Sequence, residues 1–421
     1  MYTNWEEKKL KNTKKEKKSK KHIILKILIF ILIVLLIYAG IITYKATKLG
    51  GGLQGFVAAS MGHDEDTVKN MPKITCLLIG KSQNLTDTII VAQYNPQTQE
   101  AVMMSIPRDT YVGKNKNTAT AMNKINALYQ QSPQKLLNAV NNITGLDIKN
   151  YITIDTKALR ELVDTIGGVY FDVPIDMDYD DSSQKLYIHL KQGYQLLDGD
   201  KAEQLVRFRK NNNYTGYSAT YGSDDYGRMR TQREFIIAAL KQTLQAKNVL
   251  KLGELLDIAN RNIETNMNIS ELKDYLPYIM EFNTDNIKTG ALPGASEKPG
   301  EVWVFVHNKK KTEQMVGELF LDKPTEEEIK ENSKTNIEIL YVEEKVEEAD
   351  RLQETLEEQG YKITKEKIAA APKTIIINRK QMIEENTKKI QKLVLNAQIE
   401  EGEDNGQYHY TIIVGKDYKG N

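Results

Sequence analysis

MMSIPRDTYVGKN, residues 103–115, decides how this sequence is to be read. Met103, Met104 and Ile106 continue an apolar run from Ala101 that reads as a buried strand, with both methionines in the core. The run stops at Pro107, Arg108 and Asp109. Proline fixes φ and stiffens the exit, so the sequence holds a guanidinium and a carboxylate at one strand end. Packing asks for neither, since charged side chains are seldom buried without partners.

Other short apolar runs rich in β-branched residues flank this one: ITCLLIG (74–80), TIIVAQY (88–94), YITID (151–155) and VYFDVP (169–174). Helical patterns lie between them. Ser132 and Pro133 suit the start of a helix carrying LLNAVNNI, and Gly145 stops it. TKALRELVDTI starts after Asp155 or Thr156 and runs into Gly167-Gly168. A long amphipathic pattern, 227–247, places Phe235, Ile236, Ala239, Leu240 and Leu244 at helical spacing. Helices near 250–262 and 269–282 and closing strands in KTGALPG and EVWVFVHN complete the block. Strands alternating with helices predict an α/β fold, a layered α-β-α domain with a central mixed sheet.

Outside this block, residues 1–26 carry ten lysines against Glu6, Glu7 and Glu16, a charge of +7, so the chain's net +1 leaves −6 for the remainder. The segment 22–44, HIILKILIFILIVLLIYAGIITY, is apolar after Lys26. At ~1.5 Å per residue it spans a ~30 Å hydrocarbon core. The expectation is a single-pass membrane anchor, uncleaved, with the basic tail 1–21 cytoplasmic and everything after residue 44 extracellular. Residues 45–72, with KLGGGLQG, read as a flexible spacer. The main domain is expected over 73–321, a charged linker over 322–335, and a small α/β domain over 336–421.

The single cysteine, Cys76, lies in an apolar run and has no disulfide partner; burial as a small hydrophobe is expected. Five scattered histidines without paired spacing argue against zinc.

In the main block, charged side chains gather next to strand or helix ends: Asp87, Arg108 and Asp109, Arg207 and Arg209, and Asp225, Arg228, Arg230 and Gln232. Strand ends are where layered α/β sheets bind ligands, and converging arginines favour a phosphate or carboxylate, because the planar guanidinium makes paired bonds. Asp225 is placed to cap the helix near Gly227, on which Arg228 and Gln232 share a face and Arg230 lies half a turn away. Arg207 and Arg209 share a face only if the chain has left the helix there. Taken singly, an RxR pair is an ordinary solvated face and an isolated Asp a cap or turn former.

The ordered series LLIG, TDTII, NPQT, SIPRDTYV, KIN, DTIGGV, LLDG, RFR and DYGRMRTQ resembles the LytR-CpsA-Psr family of cell-envelope proteins across residues 73–310. The module ending YTIIVGKDY resembles a C-terminal domain that some members carry. The resemblance implies an extracytoplasmic phosphotransferase that moves a glycopolymer, such as teichoic acid or capsule, from undecaprenyl pyrophosphate to peptidoglycan. It implies Mg²⁺ as cofactor, an apolar tunnel for the polyprenyl chain, and pyrophosphate contacts from Arg108, Arg207, Arg209, Arg228 and Gln232, with Asp87 on the metal. Arg108, Asp109 and Arg228 are the catalytic candidates, Asp109 either as a base or as the ion-pair partner orienting Arg108. Three positions depart from the family pattern: Ser82 stands where a second metal-binding Asp is usual, Leu85 where an arginine is, and Thr231 for the last arginine of GRxxRQ. A neutral hydroxyl is a weaker ligand for a hard cation. Competing readings are a non-catalytic lipid-pyrophosphate-binding scaffold or regulator, and a pyrophosphatase. Nucleic acid is not an expected partner, because the acidic outward part offers local arginines and no broad basic patch.

Overall fold

A computed structural model describes residues 38–64, 67, 71–82, 85–245, 248, 251–268, 272–280, 282–321, 323–394 and 397–418. Residues 22–37 of the expected membrane span lie outside these. Residues 38–48 are helical, and among the described residues no helix is long and apolar enough to cross a membrane. The chain forms two units, divided near residue 307.

In the first unit, the glycine-rich stretch read as a spacer leads into helix α1 (Gly52–Ser60). Gly51, at φ 73°, breaks the chain, and GFVAAS then supplies helix formers whose Ala58 and Ala59 are buried. The strands follow: β1 (Ile74–Ser82), β2 (Leu85–Asn95), β3 (Glu100–Ser105), β4 (Asn150–Asp155), β5 (Val169–Val173), β6 (Met177–Asp181), β7 (Leu186–Leu190), β8 (Gly193–Leu197), β9 (Ile263–Thr265), β10 (Ile287–Ala291), β11 (Gly294–Glu297) and β12 (Val304–His307). The main helices are α2 (Pro133–Thr144), α3 (Thr156–Thr165), α4 (Gly199–Arg207), α5 (Asp225–Thr243) and α6 (Leu252–Asn262).

Among the described residues, six strands make the central sheet in the order β10-β3-β2-β1-β4-β9. It is mixed: β1 and β2, β2 and β3, and β4 and β9 run antiparallel, whereas β1 and β4, and β3 and β10, run parallel. Val102, Met103, Met104 and Ser105 are all buried, so both faces of β3 are covered. Helix α3 packs against β1 and β4, and α5 against β3 and β10. The hairpins β5–β8 and β6–β7 were not all legible: only the first of their four strands was expected. They share a core with α3, α4 and α5 through Val169, Phe171, Ile188, Leu205 and Phe235. The helix expected near 269–282 is reduced, among the described residues, to a turn at Lys273–Tyr275 and a short helix, Leu276–Met280.

These directions collect chemistry at one edge of the sheet. The C-terminal ends of β1, β3 and β4 and the N-terminal end of β2 lie together, because β2 runs against both neighbours. Ser82, Asp87, Arg108 and the start of α3 therefore meet there.

The second unit carries α7 (Lys309–Phe320), β13 (Asn336–Tyr341), α8 (Val346–Glu358), β14 (Lys362–Lys367), β15 (Ile375–Asn378), α9 (Glu384–Leu393), β16 (Gln398–Glu401) and β17 (Tyr410–Val414). Its sheet order is β14-β13-β17-β15-β16, with Ile337, Ile339, Leu352, Ile376, Ile390, Tyr410 and Ile412 in the core. The stretch read as a linker contains a helix, Glu326–Asn332, started by a reciprocal capping box between Thr325 and Glu328. Caps and acidic first-turn residues stabilise a helix that has no apolar stripe, which is why periodicity missed it.

Candidate active site

At the sheet edge, the pairing of β1 with β2 skips Asp87, which bulges out of β2 opposite Gly80 and Lys81. A Cβ on Gly80 would lie 2.7 Å from the Thr88 Cβ, so only glycine lets the two strands close here. One residue before Thr88, Asp87 projects its carboxylate to the Arg108 guanidinium, which forms a short ion pair with it. Arg108 leaves β3 through Pro107, and the Thr110 hydroxyl and amide both bond the Pro107 carbonyl, at 2.6 and 3.0 Å, tightening the turn.

The second contributor is the N-terminus of α5. Asp225 was expected as its cap; Asp224 holds that place instead, with no capping bond from its side chain. Asp224 sits at φ 50° and ψ −117°, a backbone state that costs an L-residue free energy of order 1–3 kcal/mol. Asp225 is thereby released into the first turn, where its carboxylate meets three guanidiniums: Arg209 Nε at 3.1 Å, Arg228 Nη2 at 3.2 Å and Arg108 Nε at 3.7 Å. Gly227 makes this turn fit, because a Cβ there would lie 2.3 Å from the Gly222 carbonyl oxygen and 2.4 Å from the Tyr217 ring. Arg230 is excluded from the cluster: it pairs with Glu234 at 2.7 Å and lies over the Tyr221 ring.

Arg207 and Arg209 part company. Helix α4 ends at Arg207 and the chain is extended at Phe208. Arg209 reaches Asp225, whereas Arg207 pairs with Glu203 at 3.0 Å one turn back. Arg207 still borders the cleft that ends at this edge. Leu78, Ile79, Ile154, Leu159, Val206 and Phe235 give it apolar walls, and Ser82, Asp87, Arg207 and Gln232 add polar groups. Gln232 is buried; its amide donates to the Val206 carbonyl at 2.9 Å, and its own carbonyl oxygen has no partner.

Asp109 does not orient Arg108. Its carboxylate pairs with Lys124 Nζ at 3.0 Å. The backbone explains the division: the Lys124 segment lies along Tyr111 and Val112, and Asp109 in the intervening turn faces it while Arg108 faces the sheet.

Three guanidiniums (Arg108, Arg209, Arg228) and two carboxylates (Asp87, Asp225) leave the cluster at +1. Burial works against the charge of Arg108, but Asp225 and Asp87 outweigh it and hold its pKa above the ordinary value. Arg228 is the opposite case: burial, with the nearby Arg108 adding repulsion, pushes its pKa down. The Nε atoms of Arg108, Arg209 and Arg228 and the Oδ1 of Asp225 are buried and lack a hydrogen bond of good geometry, although the charges are close. Orphaned guanidinium donors with a residual positive charge suit a bidentate anion.

Among the described residues, no group of three His, Cys, Asp or Glu side chains stands ready to hold a metal alone. Mg²⁺ is commonly held by one or two carboxylates plus substrate phosphates. Asp87 and the Ser82 hydroxyl border the same cleft mouth as oxygen donors, so the donor set fits that mode of binding.

Comparison with known proteins gives the family. The model of the LytR_cpsA_psr family matches residues 53–320. The chain belongs to the LytR-CpsA-Psr family. Among its relatives, the polyisoprenyl-teichoic acid–peptidoglycan teichoic acid transferase TagV of Bacillus subtilis (strain 168) is 27% identical over 288 residues, covering 65% of this chain and 71% of that protein. The enzyme of the same description named TagU, from Oceanobacillus iheyensis, is 26% identical over 263 residues, covering 60% and 76%. The crystal structure of B. subtilis TagV aligns with a TM-score of 0.48 at 25% identity, over 58% of this chain and 96% of that one.

In this LytR-CpsA-Psr protein, sequence reasoning did not find Lys124 as the partner of Asp109, Glu203 as the partner of Arg207, or Arg233, whose Nη1 donates to Ser105 Oγ at 2.7 Å. The i, i+4 spacing of Glu203 and Arg207 on a helix was a usable signal. The other two contacts join distant segments and had none.

Proposed function

We propose that this protein is an extracytoplasmic phosphotransferase that moves a glycopolymer from a polyprenyl pyrophosphate carrier to peptidoglycan. The observation that carries the reading is the Arg108, Arg209 and Arg228 cluster around Asp225, joined through Asp87 to an apolar cleft. A pyrophosphate joined to a long isoprenoid needs charge at one end of its site and hydrocarbon along the rest. The relatives named as teichoic acid transferases take, by their names, a polyisoprenyl-linked teichoic acid and peptidoglycan.

Phosphoryl transfer asks a protein mainly for positioning and fixed charge. Arg108 and Arg228 contact the pyrophosphate and take up the charge that builds on the leaving phosphate. Arg228 is held in place beforehand by burial and Asp225, so little reorganisation accompanies the reaction. Arg209 and Gln232 add donors, and Arg207 joins by exchanging Glu203 for a phosphate oxygen. The attacking sugar hydroxyl forms the new bond to phosphorus, polyprenyl phosphate leaves, and Asp109, partly open to solvent, receives the hydroxyl proton. Asp87 and Ser82 would hold Mg²⁺, which supplies additional positive charge to phosphate oxygens when bound.

The rest of the assignment follows from the sequence. The apolar segment 22–44 anchors the chain with its lysine-rich end in the cytoplasm, and residues 336–421 form the C-terminal domain of the family's longer members. The test is transfer by the detergent-solubilised full chain of a polyprenyl-pyrophosphoryl oligosaccharide to a peptidoglycan glycan. Loss of transfer in Arg108→Ala and Arg228→Ala, with retention in Arg230→Ala, is the expected pattern.

A further inference from the structure

The turn that carries Arg108 and Asp109 is walled by two segments. On one side lies Asn123–Ile125, with Val112 N donating to Asn123 O at 2.9 Å and Ile125 N to Thr110 O at 2.8 Å. On the other lies β12: Phe305 N donates to Asp109 O and Tyr111 N to Phe305 O, each at 2.8 Å, which makes Thr110 and Phe305 a parallel pair. Trp303 lies two residues before Phe305, on the segment that bonds to this turn.

Trp303 is 59% exposed, unusual for the largest apolar side chain, and the mechanism above gives it nothing to do. A second aromatic surface is tied to the same segment through Phe305. The Phe305 ring meets the edge of Tyr226 at 6.3 Å, and Tyr226, the residue after Asp225, is 40% exposed. Loop 298–303 is seated close against Asn117 and Ala119, since a Cβ on Gly300 would lie 3.1 Å from the Asn117 carbonyl oxygen. The Asp109–Lys124 pair supplies polar groups on the same turn. Exposed aromatic faces next to a carboxylate and an ammonium are what a pyranose ring requires: its C–H face stacks on the ring and its hydroxyls bond to the charged groups.

We propose that Trp303 and Tyr226 form a stacking subsite for a pyranose ring of the acceptor glycan, beside the Asp109–Lys124 pair. The site would take a β-linked N-acetylhexosamine chain and present one of its hydroxyls to the phosphate held at Arg108. The inference rests on the phosphotransferase reading, and binding measurements separate the two.

The chain has two tryptophans, Trp5 and Trp303, so full-length protein carrying Trp5→Phe reports Trp303 alone. Titration with an N-acetylglucosamine tetrasaccharide is expected to change Trp303 fluorescence saturably. Trp303→Ala, followed calorimetrically, weakens tetrasaccharide binding by about tenfold. Trp303→Phe recovers part of it, and farnesyl diphosphate binding stays unchanged in both. In transfer, the acceptor KM rises while kcat holds. Normal tetrasaccharide binding by Trp303→Ala, or fluorescence that responds to farnesol and not to the sugar, overturns the subsite and leaves the phosphotransferase standing. A wild-type chain that binds neither farnesyl diphosphate nor the sugar overturns both.

Discussion

Arg228 Nη2 lies 3.2 Å from Asp225 Oδ1, three residues earlier on the same helix, with Arg228 only 3% exposed. The ion pairs at the solvent-facing ends of lysines, such as Lys388–Glu384, are the kind that contribute ~0–1 kcal/mol. The Arg228–Asp225 pair is of another kind, since removal of one partner leaves a desolvated charge.

Asp225→Asn should therefore destabilise the fold by about 3–5 kcal/mol, read as a lower urea midpoint at unchanged slope. A pyrophosphate ligand, by restoring negative charge, should recover part of the loss. A shift typical of a surface pair would show that Asp225 does not balance the cluster.

Arg108→Ala and Arg230→Ala make a matched pair. Arg108 faces Asp87 and Asp225 at the sheet edge, whereas Arg230 faces Glu234 on the outside of α5. Loss of a charged hydrogen bond is worth about 1.5–3 kcal/mol, so farnesyl diphosphate should bind Arg108→Ala roughly 10- to 100-fold more weakly. Arg230→Ala should bind it normally. Equal losses would remove the selectivity that the geometry assigns.

Gly227→Ala tests how α5 is seated. The added methyl meets the Gly222 carbonyl and the Tyr217 ring well inside contact distance, and the cost of forcing such an overlap is about 1–3 kcal/mol. Thermal unfolding should register this, and diphosphate binding should weaken as Arg228 shifts. A variant as stable as the parent would mean that the helix start tolerates displacement.

Burial pushes the Cys76 thiol from its ordinary 9.0 up to about 12. A folded pKa above the unfolded one means the native state retains a proton that the unfolded state has lost. This contribution to stability is intact below pH ~9 and declines as pH rises toward ~12. At pH 8 the native thiol should resist alkylation, with labelling limited by unfolding. Rapid labelling of the folded protein would contradict its burial.

Much of this arrangement was legible in the sequence, because its signals are local. The five strand runs, the Asp155 cap, the stop at Gly145, and the shared face of Arg228 and Gln232 against Arg230 follow from periodicity and turn chemistry. Partner choice was not. The carboxylate nearest Arg108 in sequence is Asp109, yet Arg108 turns to Asp87 and Asp225, which only strand order and the α5 turn bring near. The strained Asp224 hid the helix start by displacing Asp225 from the capping position. The helix Glu326–Asn332 escaped because caps and charge define it and burial does not.

On the proposed reading, the Asp225-centred arginines move a phosphate-linked polymer to a sugar acceptor. Full-length protein should be incubated with polyprenyl-pyrophosphoryl oligosaccharide, Mg²⁺ and a peptidoglycan glycan, and the products resolved by mass. The expected product is oligosaccharide joined to the glycan through one phosphate, with polyprenyl phosphate released, and no such product from Arg228→Ala. Binding of the lipid without joined product, phosphorylated oligosaccharide released with no acceptor present, or undiminished transfer by Arg228→Ala would contradict it.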